Sequence, residues 1–196
     1  MPIKFRDSLI ESAVAERRSF RLTVIVAAVT LVLLGALFYA RVCVFILIDV
    51  SGPSMMNTLQ NGDMVVANRK TEPQRGDIIV FYSDGDDKVL IKRIIGVPGD
   101  TVYSVDGRVY IAQYNPQTGS ADSIALEEDY VMTQGITTFS PVYVDEGEFF
   151  VLGDNRGNSN DSRNFGTING SDIIGVVTQW SLRYKDTFWA YFYRLL

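Results

Sequence analysis

Ser54 and Lys92 stand in two unusual settings, in a chain that contains no histidine. Ser54 lies in Ser51-Gly52-Pro53-Ser54-Met55-Met56-Asn57-Thr58-Leu59, and Lys92 in Leu90-Ile91-Lys92-Arg93-Ile94-Ile95-Gly96. A serine that acts as a nucleophile needs a proton acceptor, and without imidazole that acceptor must be another group. A lysine among Leu90, Ile91, Ile94 and Ile95 suits the task. Apolar surroundings disfavour the ammonium and lower its pKa, and the neutral amine accepts a hydroxyl proton. Holding a lysine uncharged near neutrality corresponds to roughly 3–4 kcal/mol of differential interaction. Each residue alone also has an ordinary reading: a lysine at a sheet edge pointing into water, and a serine in a turn.

A third segment is dense in short polar side chains: Gly153-Asp154-Asn155-Arg156-Gly157-Asn158-Ser159-Asn160-Asp161-Ser162-Arg163-Asn164-Phe165-Gly166. Such residues bond to their own backbone and make a loop, which would ordinarily be a solvated surface turn. This one follows the apolar run Glu148-Phe149-Phe150-Val151-Leu152 and carries two Asp and two Arg. Paired charges at the end of a buried strand point to an ordered ion network.

These segments need a scaffold. Around Lys92, strand alternation places Leu90, Lys92 and Ile94 on one face and Ile91, Arg93 and Ile95 on the other. Pro53 fixes its own φ and restricts Gly52, which orients the Ser54 backbone N–H as an oxyanion site requires. Glycine-containing turn pairs recur at Asn61-Gly62, Asp84-Gly85, Asp106-Gly107 and Asn169-Gly170. Thr101–Val105 and Arg108–Ile111 around Asp106-Gly107 predict a hairpin. The expected fold class is mainly β. Val42–Val50 is read as a strand because β-branched residues dominate it. Tyr114–Asp129 is read as a loop or mobile lobe. The aromatic run Phe188–Tyr193 is either a closing strand or an interfacial patch.

One stretch does not fit a soluble fold. Leu22–Ala40 is uncharged and long enough to cross a bilayer core, and Arg21 and Arg41 bracket it. Its bulky end, Leu37-Phe38-Tyr39-Ala40, lacks the small-residue pattern of a cleaved leader. Lys4, Arg6, Arg17, Arg18 and Arg21 precede it, which sets the N-terminus in the cytoplasm. The expected organisation is a cytoplasmic tail over 1–20 and a transmembrane anchor over 21–41. An extracytoplasmic β domain follows over 42–196, with a small accessory β lobe or loop near 101–147. The net charge of −5 over 196 residues disfavours nucleic acid as partner. The absence of histidine removes serine–histidine triads and most zinc sites. Cys43, the one cysteine, reads as a small buried residue rather than a nucleophile and allows no intrachain disulfide.

Taken together the segments resemble bacterial type I signal peptidases, which use a serine/lysine dyad. Ser54–Leu59 is similar to that family's Ser-Met-x-Pro-Thr-Leu box, and Arg75–Phe81 to its second box. Lys92–Asp100 is similar to its lysine box, and Gly153–Arg163 to its Gly-Asp-Asn-Arg-x-Asn-Ser-x-Asp-Ser-Arg box. The resemblance implies an antiparallel β catalytic domain with Ser54 as nucleophile and Lys92 as general base. Ser159 would hydrogen-bond the lysine amine, and Asp154, Asp161, Arg163 and Arg93 would frame the site. Val50, Met55, Leu59, Leu90 and Ile91 would line pockets for small substrate residues. Gly52 cannot supply the serine hydroxyl that some members add to the oxyanion hole. Asn57 departs from the family by replacing a proline.

The implied function is removal of signal peptides from preproteins after small residues, at the bacterial inner membrane, with no metal or organic cofactor. The expected partners are signal peptides and the lipid bilayer; the oligomeric state is left open. Two alternatives stand beside it. One is a specialised conjugation or pilin-processing peptidase of the same family; the other is a membrane-tethered β domain that binds peptides without cutting them. A mitochondrial inner-membrane relative is a further possibility, less favoured by the full polar loop.

Overall fold

The computed structural model describes residues 3–83, 85, 87–115, 117, 119–131 and 138–192. Asp84 of the expected Asp84-Gly85 turn, parts of the expected lobe (116, 118 and 132–137) and Tyr193 lie outside the described residues. The chain divides into two compact units, Met1–Val44 and Phe45–Leu196.

The first unit is a single helix, α1 (Ile3–Tyr39), closed by a wider π turn over Ala40–Val44. Within Glu16–Val44 an 18-residue stretch has a mean hydropathy of 2.5, so this helix is long and apolar enough to cross a membrane. It exposes Leu22, Val26, Leu31, Leu34 and Leu37, apolar on every side. A helix with no polar face is a membrane span or a core element. Three expectations change here. Cys43, read as buried, is exposed in the π turn, because this helix packs against nothing in its own unit. The residues read as a tail are helical from Ile3 onward, and Val42–Val44 continue the helical hydrogen bonding, so the following strand starts only at Phe45. An apolar β-branched run does not by itself separate helix from strand, and these residues extend the turns before them.

The second unit is mainly β, as expected. Among the described residues its strands are β1 (Phe45–Asp49), β2 (Met64–Asn68), β3 (Ile78–Ser83), β4 (Lys88–Gly96), β5 (Asp100–Val105) and β6 (Arg108–Asn115). They continue with β7 (Ser120–Ala125), β8 (Phe139–Tyr143), β9 (Glu148–Leu152), β10 (Ile168–Asn169) and β11 (Ile173–Val177). Every pairing is antiparallel. One sheet runs β1-β2-β11-β3-β4-β9-β10 and a smaller one runs β7-β6-β5-β8.

The larger sheet is covered on both faces, so its inner strands read as apolar runs rather than alternating ones. On β3, Ile78 and Val80 join one buried cluster with Met55, Leu59, Val65 and Ile91, while Ile79 and Phe81 join another with Ile94 and Val151. Leu90 packs on the second cluster with Ile94 while Ile91 joins the first, as the alternation predicts. A third cluster, with Ile95, Val102, Val109, Ile111, Phe150 and Leu152, joins the two sheets. Gly96 sits there because a Cβ would come within 3.0 Å of Val144 and 3.1 Å of Phe150.

The hairpin at Asp106-Gly107 forms as read. Both residues take positive φ (50° and 79°), the pair a two-residue turn of this twist requires. Two other readings are corrected. Tyr114–Asp129 is not all loop: β6 runs to Asn115 and pairs with β7, Tyr110 opposite Ala125 and Asn115 opposite Ser120. All six β7 residues are exposed, so no apolar pattern announces the strand. Phe188–Phe192 of the C-terminal aromatic run are helical, which excludes the closing strand and leaves the interfacial patch as the other reading. Gln179–Phe192 is helix α2, started at Thr178, whose carbonyl accepts from Ser181 and Leu182 N–H. Ser181 is buried there and bonds back to Val66 on β2.

Candidate active site

Ser54 lies in the loop of the β1–β2 hairpin. Val50 N–H donates to the Asp63 carbonyl and Gly62 N–H to the Val50 carbonyl, both at 2.8 Å, so the ladder extends past the strand ends. Gly52 takes φ +90° and donates its N–H to Asn61 Oδ1 at 2.9 Å. Beyond it, Met55 and Leu59 are fully buried in the core and pin the turn from beneath. Burying two such side chains contributes about 1.5–3 kcal/mol each. The polar loop grips the same turn from the other side. Asn155 N–H donates to the Ser54 carbonyl at 3.0 Å and Asn155 Nδ2 to the Pro53 carbonyl at 3.1 Å.

Lys92 comes from β4, opposite Ile79 of β3. It is only 3% exposed. Its Nζ donates to Ser54 Oγ at 2.9 Å and to the Ile91 carbonyl at 2.9 Å. The two groups meet in a cleft of about 250 Å³ whose lining includes Ile48, Ser54, Val80, Leu90, Ile91 and Lys92. Of the side chains expected to line substrate pockets, Leu90 and Ile91 line this cleft. Val50, Met55 and Leu59 do not line the cleft; they are core residues below it, at 2%, 0% and 0% exposure. Their apolar character serves to hold the loop.

The expected ion network forms as two separate pairs. Arg93 Nε and Nη2 donate to Asp154 Oδ1 and Oδ2 at 2.9 and 2.6 Å, and Arg93 Nη1 donates to the Gly76 carbonyl at 2.8 Å. Thr58 Oγ1 donates to Asp154 Oδ2 at 2.5 Å, which ties the end of the Ser54 loop to the pair. Arg163 Nε and Nη2 donate to Asp161 Oδ1 and Oδ2 at 2.7 and 2.8 Å, and Asp161 also accepts from Gly153 N–H at 3.0 Å. Asp154 and Asp161 are fully buried. Breaking such a pair from one side costs about 3–5 kcal/mol, because it strands a charge. Ser159 departs from its expected role. Its Oγ is buried but forms no hydrogen bond among the described residues, and it packs against Gly153 instead of bonding the lysine amine.

Asn57 occupies the position of the family proline with φ +82°. Thr58 N–H donates to the Met55 carbonyl at 3.0 Å, and a turn so closed with positive φ at its third residue is one that glycine or asparagine favours and proline cannot take.

Sequence reasoning missed a second layer. Arg156 Nη1 and Nη2 donate to Glu128 Oε2 and Oε1 at 3.0 and 2.5 Å, and Tyr130 Oη donates to Glu128 Oε1 at 2.8 Å. The Tyr130 ring lies 3.9 Å from Arg93 Cζ, and a cation over an aromatic face at such a site contributes about 0.5–2 kcal/mol. Burial first, and then the adjoining Glu128 carboxylate, push the Tyr130 hydroxyl above its ordinary pKa of 10.0. Arg156 and Thr58 lay inside quoted boxes, so their presence was visible though not their roles; Glu128 and Tyr130 gave no local signal.

With this geometry in place, comparison with known proteins defines the class. The family described as signal peptidase, peptidase S26, matches residues 21–181, more than half of the chain. Signal peptidase I S of Bacillus subtilis is 39% identical over 148 residues, covering 71% of this chain and 75% of the relative. The probable signal peptidase I-1 of Synechocystis sp. is 37% identical over 134 residues, covering 62% of this chain and 63% of that relative, somewhat under two thirds of its length. A crystal structure of a signal peptidase I from Enterococcus faecalis V583 matches with TM-score 0.46 and 35% identity, over 55% of this chain and 98% of the other. The chain belongs to the S26 signal peptidase family, a family of peptidases.

Proposed function

We propose that the chain is a membrane-anchored serine endopeptidase that cleaves N-terminal signal peptides from exported preproteins after small residues. The observation that carries this reading is the 2.9 Å separation of Lys92 Nζ from Ser54 Oγ, in a cleft walled by Ile48, Val80, Leu90 and Ile91 with Asp49 and Ser51 at its polar side. Burial of Lys92 disfavours its ammonium, so the amine is held toward the neutral form. With the amine neutral, the same line carries the Ser54 proton to the Nζ lone pair.

The chemistry then runs in two halves. Ser54 Oγ attacks the scissile carbonyl carbon as Nζ takes its proton. The Ser54 backbone N–H makes no hydrogen bond among the described residues, so it is open to an oxyanion. The C–N bond breaks as the ammonium returns its proton to the leaving amine. Water, deprotonated by the same amine, then cleaves the serine ester and restores the hydroxyl. No step needs a metal or organic cofactor.

Substrate shape follows from the cleft. Its small volume and its Val80, Leu90 and Ile91 walls favour small side chains beside the cut. Lys88–Ile91 pair with β3 on one side and have no ladder partner on the other among the described residues. An extended peptide adds there as a strand through its main chain. The basic residues that precede the apolar stretch within α1 favour a cytoplasmic N-terminus and a catalytic unit on the far side of a bacterial inner membrane.

The test is incubation of the detergent-solubilised chain with a preprotein, beside Ser54→Ala and Lys92→Ala. Cleavage by the parent alone supports the reading. Equal processing by all three, or none by the parent, overturns it.

A further inference from the structure

We propose that the segment Glu128–Tyr130 is a strap that fixes Ser54 against Lys92, which makes Tyr130 and Glu128 positioning residues for the acylation step; this rests on the serine–lysine reading above. The two reacting groups come from different elements, Ser54 from the β1–β2 loop and Lys92 from β4. A displacement of about 1 Å between such groups costs on the order of a hundredfold in rate. Something must therefore bind the loop to the strand, and the strap touches both.

On the strand side, the Tyr130 ring covers the guanidinium of Arg93, the residue after Lys92, at 3.9 Å. The edge of that guanidinium is already filled by Asp154 and the Gly76 carbonyl, and the ring covers one of its two faces. On the loop side, the Tyr130 carbonyl accepts from Asn57 Nδ2 at 3.4 Å, three residues beyond Ser54. Arg93 Nη2 also donates to Thr58 Oγ1 at 3.3 Å. On the polar-loop side, Glu128 holds Arg156 at two points, and Arg156 Nε donates to the Gly153 carbonyl at 3.0 Å. Gly153 lies against the Ser54 carbonyl. Glu128 accepts the Tyr130 hydroxyl and so sets the ring.

The strap also gives a role to the departure at position 57. A proline locks its own φ; Asn57 does not, and here its amide is tied across to Tyr130 instead. Neither Glu128 nor Tyr130 lines the substrate cleft, so loss of the strap slows the chemical step without weakening substrate binding.

The experiment compares the full chain with Tyr130→Leu, Tyr130→Phe and Glu128→Gln. It measures kcat and KM on a signal-peptide substrate, and hydrogen exchange of the 52–60 backbone, which reports the loop whether or not substrate turns over. Tyr130→Leu is expected to lower kcat about tenfold with KM within about twofold, and to speed exchange over 52–60. Tyr130→Phe, which keeps the ring over Arg93, is expected to restore most of kcat. If Tyr130→Leu does not fold, Glu128→Gln carries the test, with a smaller fall in kcat at constant KM and faster exchange. Unchanged kcat and exchange in the folded variants overturn the strap, as does a loss of thermal stability alone with kcat intact. Should the parent chain cleave no substrate, the enzymatic reading fails, and exchange decides the strap: faster in Tyr130→Leu supports it, unchanged overturns it.

Discussion

Gly153 and Ser159 are packed so closely that a Cβ on the glycine would overlap the serine hydroxyl and come within 2.5 Å of the Ser54 carbonyl oxygen. The polar loop can therefore lie this close to the Ser54 turn only with glycine at position 153. Gly153→Ala must push the loop away from the turn. An overpacked contact of this kind costs about 1–3 kcal/mol, and the displaced serine loses roughly a hundredfold in kcat. Peptide cleavage kinetics on the folded variant check this; a rate near wild type would mean that the turn does not depend on the contact.

Position 57 is expected to be governed by its backbone. At φ +82°, Asn57→Gly keeps the conformation, while Asn57→Val forces a β-branched residue into the left-handed region at about 1–2 kcal/mol or more. Urea denaturation of the two variants distinguishes them. Equal midpoints would argue against the turn described here.

Asp154 holds two elements together, since its carboxylate accepts from both Arg93 and Thr58. Asp154→Ala leaves Arg93, whose side chain is only 11% exposed, without its counter-charge. The expected loss is about 3–5 kcal/mol of unfolding free energy. A change below about 1 kcal/mol would place that pair among solvent-screened surface contacts.

Much of this site was legible in the sequence because its parts are local. Ser54, Lys92 and the Asp154–Arg163 loop each sit in a short run whose residue types state their chemistry. The β4 alternation sorted Leu90 and Ile94 from Ile91 correctly, and Asp106-Gly107 named its own hairpin. What escaped was set by distance or by missing contrast. Arg156 and Glu128 pair across 28 residues, and nothing near Glu128 marks it. Met55 and Leu59 are apolar whether they face a substrate or the core, so only packing assigns them. Strand β7, exposed at all six positions, has no buried face to write a pattern. Thr178 starts helix α2 in a stretch whose aromatic residues suit strands as well.

Tyr130 makes stability depend on alkaline pH. Its folded pKa lies above the ordinary 10.0, so the folded state keeps a proton that the unfolded chain releases. The associated stability is fully present below pH 10 and is lost as the pH rises beyond it. Wild type is expected to lose more melting temperature between pH 9 and pH 11 than Tyr130→Phe, which has no hydroxyl to ionise. Parallel losses in the two proteins would contradict this.

The central claim is that Lys92 acts as a neutral base on Ser54. The direct measurement is the pH dependence of kcat/KM for signal-peptide cleavage by the full chain, from acid to alkaline pH. A buried lysine whose pKa is depressed is protonated and idle at low pH and free to accept a proton above that pKa. The rate is therefore expected to climb with pH along a single ionisation and to vanish at every pH in Lys92→Ala. A flat profile, or a Lys92→Ala variant that follows the wild-type curve, would contradict the account.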